Sequence, residues 1–322
     1  MNSDLWKRLK KNTGDSSVFH HPQFVTVLAE VLGREVAAPV ALKGEDVMGG
    51  ALFFPVRRAH RRVASLPFFV YTPLLSLESQ SPRSNRRRQH FREIINAIAS
   101  WAEKQFAFAE MRLPPEMDDI RGFLWRGWQA DVEYTALLPL NDAWLENAEK
   151  DVRRVLRNVS GYKLTADPKP AELYELLSKS YSTDHLNPPL PRKLFLPLLE
   201  KWIAAGLGEI YGIRGSEGKL LSAAFILKSL PKIYGLFLGR DVTVPANHSS
   251  VILLARIAEI FQRRGYVEFD LGGAMAPAIA RFKENLGSEI KPYYVVRHFA
   301  SPTVKCLYAL KRLKGRMGRR RR

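Results

Sequence analysis

Between Gly265 and Tyr293 the chain reads GYVEFDLGGAMAPAIARFKENLGSEIKPY, and this stretch limits the possible folds more than any other. The apolar run Tyr266–Leu271 predicts a strand that ends in the glycine pair Gly272–Gly273. Pro277 and Gly287 then bracket a short helix as its start and stop. Ile279, Phe282 and Leu286 recur at helical spacing, so one helix face belongs to a core. Lys283 lies one step off that stripe, where a long cation can lean over the strand end. Glycines at a strand-to-helix turn let a ligand approach the backbone, and a helix start favours negative charge. Such a segment needs a sheet with helices packed on it, and it marks a place to bind something.

The chain has 322 residues, enough for about two domains, and its 46% apolar content can fill ordinary cores. One cysteine, Cys306, excludes an intramolecular disulfide and fits a reducing, cytoplasmic compartment. His20 and His21 are adjacent and cannot hold zinc alone, so no metal is expected. The opening MNSDLWKRLKKNTG has no apolar signal core. The run Leu66–Leu77 is too short, and too broken by Pro67 and Pro73, to span a bilayer. The formal net charge is +18, which points to a polyanionic neighbour: nucleic acid, a phosphorylated ligand or an anionic membrane. Arg57, Arg58, Arg61 and Arg62 crowd one predicted hairpin, Arg83, Arg86, Arg87 and Arg88 a predicted loop, and residues 311–322 are almost wholly basic.

Along the first part, the patterns predict a helix over Gln23–Leu32, short strands over Ala37–Lys43, Gly49–Pro55 and Arg62–Leu66, a helix over Phe91–Phe106 and a strand over Ala107–Leu113. The second part reads as a helix over Asp142–Gly161, a strand over Lys163–Ala166, and helices over Pro170–Tyr181 and Arg192–Ala205. Strands over Gly208–Arg214, Leu220–Leu227 and Lys232–Leu238 follow, then a long helix (Ser249–Arg264), the opening segment and a last strand, Ile290–Phe299. Helix, antiparallel strands, then helix–strand–helix–strand predicts an α+β layered sheet. The first part shows a weaker version of the same order, as an internal duplication would.

These residues carry a resemblance. DVRRVLRNVSG at Asp151–Gly161 resembles a basic helix of the FemAB-like branch of the GNAT acyltransferase superfamily. That branch includes peptidoglycan-bridge aminoacyltransferases and BioF2-like acetyltransferases. Gly218–Asp241, with Tyr234-Gly-Leu-Phe-Leu-Gly leading to Asp241, resembles its hairpin. Ser249–Gly265 resembles the helix after it, and Phe269-Asp-Leu-Gly-Gly273 with Phe282-Lys283 and Leu286-Gly287 resembles its end motif. The likeness covers roughly residues 130–300. It implies two tandem GNAT-like domains, the first degenerate, over 1–135 and 136–300, with a basic tail over 301–322. One departure is plain: the RxxGxG-type phosphate loop is replaced by Val244-Pro-Ala-Asn-His-Ser-Ser250, without glycine. Asn247, Ser249 and Ser250 can cap the following helix and leave amides, including that of Val251, for an anionic donor.

The resemblance implies transfer of an acyl or aminoacyl group to an amine of a large acceptor such as a lipid-linked cell-envelope precursor. The donor would be acyl-CoA or aminoacyl-tRNA, a co-substrate rather than a resident cofactor. Such chemistry needs placement of the amine and stabilisation of an oxyanion, not a covalent nucleophile. Asp270, Tyr234 and Lys283 are the candidate catalytic residues, Lys283 as an oxyanion or phosphate partner. Lys150, Arg153, Arg154 and Arg157 make one basic helix face, of which Arg154 and Arg157 can grip phosphate bidentately. Tyr181, His185 and Tyr211 are candidates for the acceptor cleft, beside Asp184. The tail from Val304 to Met317 interleaves leucines with lysines and arginines, a pattern suited to an anionic leaflet at the cytoplasmic face or to tRNA phosphates. The competing reading is a non-catalytic module that docks on RNA or membrane through this basic surface.

Overall fold

The computed structural model of the protein describes residues 6, 9, 17–58, 60–66, 68, 71–183, 186–244 and 248–310. In chain order its elements begin with α1 (Pro22–Leu32), β1 (Val40–Lys43), β2 (Asp46–Ala51), β3 (Pro55–Arg58), β4 (Arg61–Ala64), β5 (Leu74–Ser76), α2 (Ser84–Gln105), β6 (Phe108–Arg112), α3 (Arg121–Leu124) and β7 (Gln129–Pro139). They continue with α4 (Lys150–Arg157), β8 (Lys163–Thr165), α5 (Pro170–Thr183), α6 (Arg192–Ala204), β9 (Gly208–Arg214), β10 (Leu220–Ser229), β11 (Lys232–Arg240), α7 (Ser249–Arg263), β12 (Glu268–Gly273), α8 (Pro277–Asn285) and β13 (Glu289–Phe299). A final helix, α9, covers residues 302–310.

The chain divides into two units that interleave along the sequence. One holds residues 1–15, 32–132 and 293–322, the other 16–31 and 133–292. The expected boundaries are 135 and 300; the units change at 15/16, 31/32, 132/133 and 292/293. The helix expected over Gln23–Leu32, read with the first part, belongs instead, up to Val31, to the second unit. There Phe24 stacks on Trp202 at 4.7 Å, and Val18 N donates to Ser229 Oγ at 2.7 Å. Contacts that lie more than 170 residues away in sequence are invisible to local periodicity.

Each unit repeats hairpin, helix, parallel strand. In the first, β3 and β4 pair antiparallel, α2 follows, and β6 returns parallel to β4. In the second, β10 and β11 pair antiparallel, α7 follows, and β12 returns parallel to β11. An antiparallel strand lies beside each parallel strand: β13 pairs with β6, and β7 with β12. The first unit adds a small antiparallel sheet, β1–β2–β5, and α2 buries Ile94, Ile95, Ile98 and Ala102 against the core. In the second, β9 and β8 extend the sheet beyond β10.

The second unit's sheet is covered on both faces. Tyr211, Ile213, Ala224, Ile226, Ile233 and Phe269 share one core with α7 and with Val152 of α4. On the other face Phe225 lies against Trp202, Phe237 against Phe195, and Tyr234 against Phe19. Here α5 sits directly on β11: a Cβ at Gly239 would come within 2.5 Å of Leu177 N and 2.7 Å of the Leu176 carbonyl carbon.

Three expectations are corrected. Arg86, Arg87 and Arg88 are not in a loop but in the first turns of α2, which starts at Ser84; arginine is a good helix former, yet exposed turns show no apolar period. The helix expected over Asp142–Gly161 is a 3-10 turn (Trp144–Asn147) followed only by α4. Glu149 is extended between them (φ −59°, ψ 150°) and donates its N–H to Asn285 O at 2.9 Å, so a tertiary contact breaks the helix. Third, Ile279 is exposed while Lys283 and Leu286 are buried, so the inner face of α8 is centred on the lysine.

Gly239→Ala is expected to destabilise the protein by about 2 kcal/mol or more, because backbone rather than a flexible side chain must yield. Chemical denaturation followed by tryptophan fluorescence measures this; an unchanged midpoint would contradict the close α5–β11 approach.

Candidate active site at the parting of two parallel strands

Parallel pairing of β11 with β12 is brief. It covers Lys232–Tyr234 against Glu268–Asp270 and then stops, while β11 shifts register against β10 between Phe225 and Ile226. Past this point the ladder between the strands ends. Gly272 makes the turn possible: it has φ +77°, and a Cβ there would lie 3.5 Å from Gly235 O.

Asp270 and Lys283 hold this turn from inside. Asp270 is 2% exposed; its Oδ1 accepts from Thr135 Oγ1 at 2.6 Å and from Gly272 N at 2.8 Å. Lys283 reaches back from α8 and its Nζ donates to the carbonyls of Leu271 (2.6 Å), Gly272 (2.9 Å) and Gly273 (2.9 Å). An ammonium has three hydrogens, and three carbonyls receive them. The expected direct contact of Lys283 with an oxyanion is therefore not what this geometry prepares; the side chain clamps the strand end. Burial pushes the Lys283 pKa down to about 8, with the Asp270 charge acting in the opposite direction.

Tyr234 stands opposite Asp270 in the ladder, buried, with its ring 4.8 Å from that of Phe19. Tyr211, expected to share a cleft with it, lies on the opposite face of the sheet, and its hydroxyl donates to Glu209. Lys228 Nζ (2.7 Å) and Arg264 Nη1 (2.9 Å) also reach that carboxylate. Burial works against the charge on Glu209, but these three donors prevail and hold its pKa down to about 2. Burial and then the Glu209 partner drive the Tyr211 phenol upward. Tyr211 is thus locked in an ionic network rather than placed for proton transfer.

Beyond the parting, β11 ends at a carboxylate clamp. Asp241 is buried; its Oδ1 accepts from Thr243 N (2.9 Å) and Thr243 Oγ1 (2.6 Å), and its Oδ2 lies 2.8 Å from Lys219 Nζ and 3.7 Å from Lys179 Nζ. The Lys219 hydrogen bond, followed by those of Thr243, holds the Asp241 carboxyl well below the usual carboxylate range. Ser180 of α5 also bonds the backbone of Arg240. The loop from this clamp delivers the start of α7, where Ser249 is buried, and Ser250 and Val251 are half-buried with Val251 packed on the core. The residue at the N-cap position, His248, makes no side-chain cap hydrogen bond. Asn247, Asp184 and His185 lie outside the described residues. Tyr181, half-buried, lies in the last turn of α5, whose Ser180 bonds the last residue of β11 and whose Lys179 reaches Asp241 just after it.

The basic face of α4 is solvent-exposed, as its spacing predicts, with Val152, Val155 and Leu156 turned to the core. Arg154 pairs with Asp151 at 3.2 Å, both side chains being about three-quarters exposed or more (75% and 87%). Such a pair is worth less than about 1 kcal/mol and gives way readily to a stronger anion. Thr135 was missed by the sequence reading. It lies 135 residues from Asp270, and no local signal connects them.

Residues 146–284 match the family model described as the acetyltransferase (GNAT) domain. No curated protein matches the chain by sequence. Among solved structures, FemX superposes with a TM-score of 0.63 at 12% identity, covering 91% of this chain and 95% of its own. The C-terminal domain of a protein assigned as a lysylphosphatidylglycerol synthetase from Agrobacterium fabrum gives 0.59 at 13% identity, with 96% of each chain covered. A tandem GNAT protein from the clavulanic acid biosynthesis pathway gives 0.57 at 12% identity, covering 93% of this chain and 95% of that one. The fold is therefore α+β with tandem GNAT-like units, the family model falling within the second.

Lys283 gives a pH test. Its folded pKa of about 8 lies below the unfolded value of about 10.4. Between these values the unfolded chain holds the proton that the folded one has lost, so this group makes stability rise with pH. The stability of the protein minus that of Lys283→Met should therefore grow from about pH 8 to about pH 10. Parallel melting curves for the two proteins across that window would show that the buried ammonium is not titrating.

Proposed function

We propose that the second unit transfers an activated acyl or aminoacyl group to the amine of a large acceptor. The parting of β11 and β12, held by Lys283 and Asp270, is the observation that carries this reading. In an open strand edge, backbone N–H groups past Gly235 are suitable donors to an extended acyl segment and to a developing oxyanion. The amine attacks the donor carbonyl, the tetrahedral intermediate collapses, and the thiol or ribose hydroxyl leaves with a proton. Asp270 and Lys283 act by keeping the turn in shape. Tyr234 lines the same point, and Tyr181 and His185 are the candidates on the acceptor side.

The donor enters at the α7 start, over Asn247, Ser249, Ser250 and Val251, with Arg154 and Arg157 as phosphate partners. Acyl-CoA suits the fold. Aminoacyl-tRNA suits the net charge of +18 and the glycine-free loop before α7. The acceptor class favoured is a cell-envelope precursor, lipid-linked, reached at the cytoplasmic face of the membrane. A neighbouring fold named for lysylphosphatidylglycerol synthesis is consistent with aminoacyl chemistry on an envelope component. The competing reading is a docking module without turnover, and one observation favours it: all three Lys283 hydrogens are engaged.

Thermal shift with acetyl-CoA, longer acyl-CoAs, and charged and uncharged tRNA separates these readings. A true donor at about a hundred times its Kd adds about 2.7 kcal/mol of stability. A response to aminoacyl-tRNA beyond that to deacylated tRNA favours aminoacyl transfer, and a salt-resistant response to one acyl-CoA favours acyl transfer. Silence with every donor favours the docking module. With a donor in hand, Lys283→Ala and Asp270→Ala should each lower kcat by at least about tenfold, from misplacement of the reacting edge. Full turnover in both variants would remove the site from this place.

A further inference from the structure

In the first unit, the face of the β3–β4–β6–β13 sheet opposite α2 bears two features the transfer reaction does not use. The first is α9. Val304 is buried, and Tyr308 stacks on Phe108 at 5.1 Å and lies tilted against Phe299 at 5.4 Å, with the Arg297 guanidinium 5.5 Å from its ring. These contacts pin the helix along one side. Leu307 and Leu310, three residues apart on one flank, are left 58% and 56% exposed. An unpinned amphipathic helix could roll its leucines inward; this one is held with them in solvent.

The second feature is charge. Ala64 and Ala109 are partners in the β4–β6 ladder and face the α2 core. Val63 and its partner Phe108 therefore face the other way, toward Tyr308. Arg61 is two residues from Val63, and Arg58 is its cross-strand partner, so both arginines project on the α9 side. Both are exposed, and among the described residues neither is in an ion pair, nor is Arg57 beside them. The Arg58 charge adds to burial in lowering the pKa of Arg34, a sign that positive charge is crowded here. The chain past α9 carries Lys311, Arg312, Lys314, Arg316 and Arg319–Arg322 and no acidic residue; those residues lie outside the described ones.

We propose that this face, formed by α9 and the β3–β4 hairpin, docks the protein on an anionic phospholipid bilayer. Leu307 and Leu310 enter the interface and Arg58 and Arg61 meet lipid phosphates. Exposed leucines beside unpaired arginines decide for lipid over RNA: an RNA backbone satisfies the arginines and leaves the leucines in water, whereas a bilayer takes up both. Among the described residues no helix is long and apolar enough to cross a membrane, so the contact is one of lying on the surface. The inference stands on this face alone and does not need the transfer activity.

The test is co-sedimentation of the full chain with vesicles of phosphatidylcholine, with and without an equal part of phosphatidylglycerol, at physiological salt. Binding is expected to the mixed vesicles and not to phosphatidylcholine alone. Leu307→Gln with Leu310→Gln should weaken it by at least about tenfold, and Arg58→Glu with Arg61→Glu by a similar factor. All four positions are exposed, so unchanged melting temperatures and an unchanged donor response show that the variants are folded. The proposal is overturned if neither vesicle binds. It is equally overturned if the leucine pair is indifferent while the arginine pair matters, or if deacylated tRNA binds as tightly as the vesicles and ignores the leucines. Failure of the transfer reading would appear separately, as silence with every donor while vesicle binding persists.

Discussion

A single buried ammonium organises the candidate site. Lys283 comes from α8 and places its charge under the last three carbonyls of β12, Leu271, Gly272 and Gly273. A strand end turning through positive φ at Gly272 interrupts its ladder, and a buried carbonyl such as that of Leu271 is costly to leave unsatisfied. The lysine satisfies all three, at the expense of burying a charge that Asp270 partly balances. Asp270 in turn holds the Gly272 amide and Thr135 of β7. The turn, the helix after it and the strand beside it are thereby tied at one point. Remove that point and β12 has no reason to leave β11 where it does.

In the chemistry proposed, the parting of β11 and β12 is the place for a ligand, and the rest of the second unit keeps it in position. On one face α5 lies so close to β11 that only glycine fits at 239. On the other, the sheet rests on α7, the helix whose start receives the loop from Asp241. Ion pairs fix the far ends: Glu209 with Lys228 and Arg264, Asp241 with Lys219 and Lys179. In the chemistry proposed, a rigid frame around an open edge supplies placement, and placement is the main demand of amide formation from an activated ester. The absence of a nucleophile motif in the sequence is consistent with that demand.

The two units follow one plan, yet they differ in what they present. The second carries the glycine turn and the lysine clamp. The first carries an α2 with arginines on its opening turns, a hairpin whose exposed Arg57, Arg58 and Arg61 are in no ion pair among the described residues, and a helix pinned with leucines outward. A duplicated fold can keep its core while one copy loses the ligand edge, because the core pattern and the edge residues are under separate constraints.

Local spacing alone was enough for the α+β class, the strand–turn–helix at 266–287, the apolar and basic faces of α4, and Lys283 leaning over a strand end. All of these follow from periods of two and 3.6 and from glycine and proline punctuation, which act within a few residues. The extent of α2, the break at Glu149 and the inner face of α8 were not legible, because solvent-exposed turns carry no apolar period and a tertiary hydrogen bond can overrule a helical one. The partners that define the site were illegible as well. Thr135 meets Asp270, Phe19 meets Tyr234, β13 meets β6 and β7 meets β12 only in the folded chain. The sequence by itself determined which elements form and which face of each is apolar. Only the tertiary structure decided which strands pair, which carbonyls Lys283 satisfies, and which leucines stay outside, because these depend on contacts between residues too far apart for any local preference to encode.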